Sequence, residues 1–262
     1  MIENPFAGMD DYISPAASEP LSPSLCFYPW FMRLIFRYNL DVRRGNAGPE
    51  YFPARSLEVI RRIEHCGGRF AVTGLNHLRE LTGPAVFASN HMSTLETVTL
   101  PGFIHLFKPI TFVVKESLVR APIFGPIMRS RNPVVVTRNH PRSDLVAVLR
   151  EGRRRLENGV SIVLFPQGTR SLSFHSSEFN SLGVKLARTA RVPLIPLALK
   201  TDFWGNGFPF KPLGRLHPRR TIHMAFGSPI DSTLQAGQMH ENTLFHISNH
   251  LSGWGLPPSR IQ

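Results

Sequence analysis

Seven short apolar runs recur along the chain from about Ser56 onward, and they constrain the fold more than any other feature of the sequence. Most of these runs are continuously apolar, with a polar residue at one end at most, which is typical of strands that are buried on both faces of a sheet. The predicted strands cover residues 70–73, 85–88, 111–114, 134–137, 161–165, 194–199 and 222–226.

Helical patterns lie between several of the apolar runs. The clearest extends from about Ser143 to Asn158, and its leucines and valines share one face. Two further helices are predicted at residues 178–190 and 242–251. Alternating strands and helices predict an α/β fold, with a mostly parallel central sheet flanked by helices on both faces. Since no internal repeat or linker divides residues 55–262, we expect them to form one domain.

Residues 1–54 have a different character. The first 23 are rich in polar residues and proline, which predicts a loosely ordered lead-in. An aromatic amphipathic helix is predicted next, at residues 27–38. Aromatic side chains edged by arginines are typical of a helix lying in the headgroup layer of a membrane. Alternatively, the helix could pack onto the domain with its arginines exposed. The two stripes are Phe27, Phe31, Ile35 and Tyr38 on one side and Arg33 with Arg37 on the other.

The formal net charge of +12 and the sequence pI of about 10.8 favour partners with negative surfaces. Nucleic acid, anionic lipid and phosphorylated substrates all meet that description, and a basic surface that merely aids solubility is the simpler alternative. The 19 phenylalanines, several of them grouped near the start, favour lipid over nucleic acid.

No signal peptide and no uncharged apolar run of about 18–20 residues is visible, so we expect a protein that is soluble or attached to one membrane face. Cys26 and Cys66 have neither metal-ligand spacing nor a disulfide framework around them. A reducing compartment is therefore the simpler expectation.

A histidine and a glutamate five positions apart follow the predicted strand at residues 85–88. His91 is thus expected at a carboxyl strand end, where α/β sheets have their binding crevices. Imidazole takes and returns a proton near neutral pH, and a neighbouring carboxylate holds its tautomer and stabilises the imidazolium. Ser93 and Glu96 also fit a capping box, which would give Glu96 a purely structural role, with His91 an ordinary loop histidine.

A polar turn at residues 166–171 follows the predicted strand at residues 161–165. Gly168 permits positive φ or a close backbone approach, Thr169 offers a hydroxyl, and Arg170 offers a two-pronged donor for phosphate. By itself this segment could be an ordinary polar turn. Beside a histidine base, it indicates an enzyme that activates a hydroxyl on a negatively charged substrate.

The two segments together resemble the signature blocks of the glycerophospholipid acyltransferase family. His91 and Glu96 match its His-x4-Asp block, with glutamate in place of the usual aspartate. Residues 165–171 resemble Phe-Pro-Glu-Gly-Thr-Arg-Ser, and Gln167 replaces the glutamate. Gln167 retains hydrogen bonding but lacks the negative charge.

Other blocks follow the same order as in that family. Arg138 ends the predicted strand at residues 134–137, and it matches an arginine that is thought to bind the phosphate of the acceptor. Lys115 matches a position that is often basic, and residues 192–199 resemble a Val-Pro-x-x-Pro block. The resemblance covers roughly residues 84–199, and residues before about 55 carry no diagnostic match.

The resemblance implies an O-acyltransferase that moves a fatty acyl group from acyl-CoA or acyl carrier protein to the hydroxyl of a lysophospholipid. The leading acceptor is 1-acyl-sn-glycerol 3-phosphate, which would give phosphatidic acid. His91 would be the base and Glu96 would orient it. No metal or redox cofactor is expected, because the thioester is already activated. The substrate-binding residues would be Lys115, Arg138, Gln167, Gly168, Thr169 and Arg170.

Two alternatives remain open from the sequence. The same chemistry could act on glycerol 3-phosphate or a lyso-aminolipid. The chain could also be a non-catalytic basic protein that binds anionic lipid or nucleic acid, although that reading leaves the paired motifs unexplained. The enzymatic reading predicts a peripheral protein on the cytoplasmic face of a membrane, with acyl carrier protein as a potential partner and no nucleic-acid partner.

Overall fold

The computed structural model describes residues 3–15, 20–207 and 213–256. Within these residues an eight-stranded sheet has the order β1-β2-β8-β7-β3-β6-β4-β5. Its strands are Tyr12–Ile13 (β1), Phe70–Thr73 (β2), Val86–Ser89 (β3), Ile110–Lys115 (β4), Val134–Val136 (β5), Ser161–Leu164 (β6), Leu194–Lys200 (β7) and Ile222–Phe226 (β8).

Most neighbouring strands are parallel, as the sequence predicts. Only the β1–β2 and β7–β8 pairs are antiparallel. In the centre, β3 pairs in parallel with both β6 and β7, and β4 joins β6 to β5. The carboxyl ends of β3 to β7 therefore meet at one edge of the sheet, and the polar segments after these strands are brought together there.

Helices cover both faces of the sheet, which confirms the predicted layering. One core cluster includes side chains of α1, α2 and α4, and the other includes side chains of α7, α8 and α9. The helices are Pro23–Arg43 (α1), Tyr51–His65 (α2), Leu75–Glu80 (α3), Leu95–Ile104 (α4), Glu116–Arg120 (α5), Phe124–Ser130 (α6), Pro141–Glu157 (α7), Leu182–Ala190 (α8) and Ala236–Gly253 (α9), with a 3₁₀ turn at Ser176–Glu178.

All seven predicted strands are present, with bounds that differ by at most one residue at each end. The start of the chain is more ordered than the sequence predicts. β1 adds an antiparallel edge strand, Phe6 is buried, and the hydroxyl of Ser14 donates to Glu64 of α2 at 2.6 Å. Its composition gave no sign of this, because the contacts come from residues about 50 positions away. The division of the chain at residue 54 stays a sequence prediction.

The N-terminal helix α1 is longer than predicted, and its aromatic stripe faces the protein. Phe27, Phe31, Ile35 and Tyr38 are all buried, so this stripe packs onto the domain instead of a membrane. The opposite side exposes Arg33 and Arg37 together with a second apolar stripe. That stripe consists of Leu25, Met32, Phe36 and Leu40, which are 75%, 40%, 70% and 36% exposed.

The expectation of two reduced cysteines is wrong in this structure. Cys26 on α1 and Cys66 at the end of α2 form a disulfide. Their separation of 40 residues concealed the pairing, because only the packing of α1 on α2 brings the two positions together. Across residues 3–15, 20–207 and 213–256, every helix is too short or too polar to cross a bilayer.

Candidate active site

His91 and Glu96 meet at the carboxyl edge of the sheet, where the sequence predicts His91. His91 lies in the turn after β3, and Glu96 lies in the first turn of α4. The Nδ1 atom of His91 is 2.6 Å from Oε2 of Glu96. Since this contact occupies Nδ1, the other ring nitrogen, Nε2, is left for the cavity that His91 lines.

The other carboxylate oxygen of Glu96 is bound by the surrounding turn. Oε1 accepts the N–H groups of Met92 at 2.8 Å and Ser93 at 2.9 Å, and it also accepts the hydroxyl of Thr201. The Glu96 side chain is fully buried. Glu96 therefore holds the backbone of the turn with one oxygen and pairs with His91 through the other. The predicted capping box does not form as such, because the N-cap of α4 is Thr94 and not Ser93.

Three contacts with residues 165–171 fix the position of His91. Its ring stacks on Phe165 with ring centroids 4.1 Å apart, and Phe165 directly follows β6. Its N–H donates to Oε1 of Gln167 at 3.1 Å, and its carbonyl accepts the N–H of Ser171 at 2.9 Å. The two predicted motifs are thus joined directly, and Gln167 acts here through a hydrogen bond that needs no charge.

The sequence did not identify two residues that hold this site. The side chain of Asn90 accepts the N–H of Leu199 at 2.8 Å and donates to the carbonyl of Leu199 at 2.7 Å. It thus links the end of β3 to β7. Thr201 follows β7 directly and donates to Glu96. In the sequence, only one feature could have indicated Thr201: it directly follows a predicted parallel strand, so it lies at the same edge of the sheet as the other polar residues of the site.

Arg170 lies close to the histidine pair. Its guanidinium donates to the hydroxyl oxygen of Thr94 at 2.5 Å. Burial lowers the pKa of Arg170 below its ordinary value, and the Glu96 carboxylate opposes that shift. At neutral pH the guanidinium stays protonated, so a partly desolvated cation faces the cavity beside His91.

Arg138 is presented by a tight turn after β5. Its backbone has a φ of 63°, which is unusual for a residue other than glycine. Asp144 of α7 holds this turn: its carboxylate accepts the N–H groups of Thr137 at 2.8 Å and of Arg138 at 2.6 Å. The Arg138 side chain is exposed and lines the same cavity as His91.

The cavity has a volume of about 250 Å³ and brings half of the predicted site residues together. Lys115, Arg138 and Arg170 lie among its lining residues with His91, while Gln167, Gly168 and Thr169 do not. Gly168 shapes the turn through its φ of 77°, and Thr169 is exposed. The remaining walls are mainly apolar and come from α1, β4 and α6. They include Phe31, Ile35, Phe112, Val114, Ile127 and Met128.

Comparison with known proteins agrees with the acyltransferase resemblance of the sequence motifs. A family model described as "Acyltransferase" matches residues 69–200. The 1-acyl-sn-glycerol-3-phosphate acyltransferase of Pseudomonas aeruginosa is 34% identical over 132 residues, which cover 50% of this chain and 49% of that protein. The chloroplastic 1-acyl-sn-glycerol-3-phosphate acyltransferase LPAT1 of Arabidopsis thaliana is 33% identical over 128 residues, 49% of this chain and 35% of that protein.

The fold also matches a solved structure. The crystal structure of PlsC, the 1-acyl-sn-glycerophosphate acyltransferase of Thermotoga maritima, aligns with a TM-score of 0.67 and 19% identity. The alignment covers 91% of this chain and 97% of that one, so the similarity extends well beyond the residues matched by sequence. By sequence, the chain spans about half the length of the Pseudomonas relative and about a third of the plant relative.

Proposed function

Because this chain belongs to the acyltransferase family, we propose that it transfers a fatty acyl group from a thioester to the free hydroxyl of a lysophospholipid. One observation carries this proposal. The His91–Glu96 pair opens onto a cavity with cations at its rim and apolar walls behind them. A phosphate next to a hydroxyl fits the rim, and a hydrocarbon chain fits the walls.

The chemistry follows from the geometry of the pair. Glu96 accepts the Nδ1 proton of His91, which leaves Nε2 unprotonated and able to act as the base. As the hydroxyl oxygen attacks the thioester carbonyl carbon, its proton passes to Nε2. When the tetrahedral intermediate collapses, the C–S bond breaks and the departing thiolate takes that proton. The buried carboxylate stabilises the transient imidazolium.

The acceptor that we propose is 1-acyl-sn-glycerol 3-phosphate, and the product is phosphatidic acid. The names of the relatives support this choice, and so does the rim. Arg170 lies beside the base, while Arg138 and Lys115 are exposed at the same opening. These side chains can bind a phosphomonoester on the carbon next to the one that carries the reacting hydroxyl. The donor is acyl-CoA or acyl carrier protein, both thioesters, so the step needs no further activation.

We also propose that the protein works at an anionic membrane surface. The second apolar stripe of α1 is exposed, and Arg33 and Arg37 lie beside it. An apolar stripe next to arginines suits the boundary between acyl chains and anionic headgroups. We assign the cytoplasmic face because acyl thioesters are made there. The Cys26–Cys66 disulfide argues against that face, so the redox state of these cysteines in freshly isolated protein tests the assignment.

Thiol release tests the enzymatic proposal. We expect release from acyl-CoA or acylated carrier protein that requires 1-acyl-sn-glycerol 3-phosphate and falls at least ~10²-fold in His91→Ala. His65→Ala, at an exposed histidine on α2, is the matched control and should leave the rate unchanged. If neither donor supports acceptor-dependent release with this or other lyso-lipids, the enzymatic proposal fails and an anionic-surface binder remains.

Vesicle sedimentation tests the membrane surface. Phe36→Glu on α1 should weaken binding to vesicles containing phosphatidylglycerol by roughly 10-fold or more, because a large apolar side chain is lost from the contact. Phe245→Glu on α9 is the matched control, since Phe245 is 72% exposed and Phe36 is 70% exposed. Equal losses in the two variants would show that α1 does not form the contact.

A further inference from the structure

The apolar part of the cavity contains one unexpected cation. Arg131 directly follows α6, and it lines the same cavity as His91. Its Cζ atom lies 3.8 Å from the ring centroid of Phe52 and 5.4 Å from that of Tyr38. These contacts place the guanidinium over two rings that belong to α2 and α1.

The guanidinium of Arg131 has unused hydrogen-bonding capacity. Among the described residues, no carboxylate lies within ion-pair distance of it, and its Nε atom is buried without a hydrogen-bond partner. Burial lowers the pKa of Arg131, and Tyr38 opposes this shift. A desolvated cation is normally paired, since burying an unpaired charge costs several kcal/mol on general grounds. The rings and the Tyr38 hydroxyl supply part of that compensation, and the half-buried side chain still reaches the cavity.

Strand register places this cation far from the reacting pair. Phe52 packs edge-on against Phe112, and Phe112 is level with Val163 and hence with Phe87 in the adjacent strands. The carbonyl of Arg131 accepts the hydroxyl of Thr111, one residue earlier in β4. β3 ends at Ser89, two to three residues past these levels, which corresponds to roughly 7–10 Å along the strand direction, and His91 lies in the turn beyond that end.

The cavity between the two ends is apolar. It passes Phe112 and Val114 of β4 on one side, and Ile127 and Met128 of α6 on the other. A hydrocarbon chain that enters at the base would therefore run along apolar walls and end near the guanidinium. A methyl terminus at that point would leave the free N–H donors unsatisfied, whereas an oxygen atom there would accept them.

We propose that Arg131 determines acyl-chain specificity by donating hydrogen bonds to an oxygen on the distal part of the chain. This inference rests on the proposed acyltransferase function and goes beyond it, since it names a substituent that the donor carries. It also predicts one preferred chain length, because the oxygen must reach a guanidinium that is held in place by two rings.

Matched acyl-CoA donors test the inference. Saturated donors of increasing length would each be compared with the same chain carrying a terminal hydroxyl, with 1-acyl-sn-glycerol 3-phosphate as acceptor. The measured quantity is the ratio of kcat/KM for the hydroxylated donor to that for the plain donor. We expect this ratio to peak at one length, at roughly tenfold or more above the neighbouring lengths.

Variants locate the effect. Arg131→Met should remove the peak, because it keeps similar volume without the donors. Arg129→Met, at an exposed arginine near the end of α6, should preserve the peak. The inference is overturned if the wild-type ratio is flat across all lengths, or if the peak survives in Arg131→Met. In either case, wild-type activity on plain donors would leave the proposed function standing. Absence of acceptor-dependent release from every donor overturns both.

Discussion

Replacing Glu96 by glutamine separates the two roles that its carboxylate oxygens perform. The amide oxygen of Gln can still accept the N–H groups of Met92 and Ser93 and the hydroxyl of Thr201. The amide nitrogen must then face Nδ1 of His91, which Oε2 now contacts at 2.6 Å. Two N–H donors cannot face each other, so the imidazole must place its proton on Nε2.

The two consequences differ in size. With its proton on Nε2, His91 cannot take the proton of the acceptor hydroxyl, so kcat should fall by about 10²–10⁴-fold. Stability should change much less. Three hydrogen bonds to a charged oxygen become hydrogen bonds to a neutral one, which costs roughly 1–3 kcal/mol in total. Glu96→Ala would instead leave all three donors unsatisfied and cost more than that.

The assay is thiol release at saturating acceptor and donor, accompanied by thermal unfolding of each variant. Glu96→Asp is the charge-preserving control, and it should retain more activity than Glu96→Gln because it can still hold the His91 tautomer. The reasoning is refuted if Glu96→Gln is folded and has a kcat within about threefold of the wild type. Glu96 would then serve only to hold the backbone of the turn before α4.

Three further predictions concern other parts of the molecule. Asp144→Asn should raise KM for the phosphorylated acceptor roughly 2–10-fold with a smaller change in kcat, since an amide cannot accept both N–H groups that hold the Arg138 turn; an unchanged KM in steady-state kinetics would contradict this. Burial lowers the pKa of His246 from 6.5 to about 4. As the pH falls, the unfolded state therefore binds a proton at this residue before the folded state does. The free energy of unfolding should decrease between pH 6.5 and pH 4, by up to about 3 kcal/mol. In His246→Gln, unfolding followed across this pH range should show a correspondingly weaker dependence, and an unaltered slope would exclude His246 as its source. Reduction of the Cys26–Cys66 disulfide should lower the free energy of unfolding by roughly 2–4 kcal/mol, given the loop of 40 residues that it closes; equal denaturation midpoints with and without reductant, once free thiols have been counted, would count against the bond.

The sequence alone was sufficient for the central sheet. The strands are buried on both faces, so their apolar runs are continuous and bounded by turns, and they can be recognised without any tertiary information. The positions of His91, Arg138 and the turn at residues 166–171 also follow from it. Each comes directly after such a run, and the carboxyl ends of parallel strands share one edge.

Contacts between distant segments decided which face of α1 is buried and what Glu96 does. Helical periodicity shows that α1 has two faces, but it cannot show which one packs inward, and the stripe of Phe27 and Phe31 proved to be the buried one. The sequence offers two readings of Glu96, as cap or as partner of the histidine. Only the approach of Thr201 and the His91 ring shows that one oxygen holds the turn and the other pairs with the histidine.

Arg131 shows the same limit most clearly. In the sequence it is one of 30 lysines and arginines, two residues after Arg129 and three residues before the strand β5. Nothing local distinguishes it, because its burial comes from Phe52 and Tyr38, about 80 and 90 residues earlier. Local pattern fixes which segments become strands and helices, since it depends on neighbouring residues. The environment of a charge depends on what the fold packs against it, and only the tertiary structure decides that.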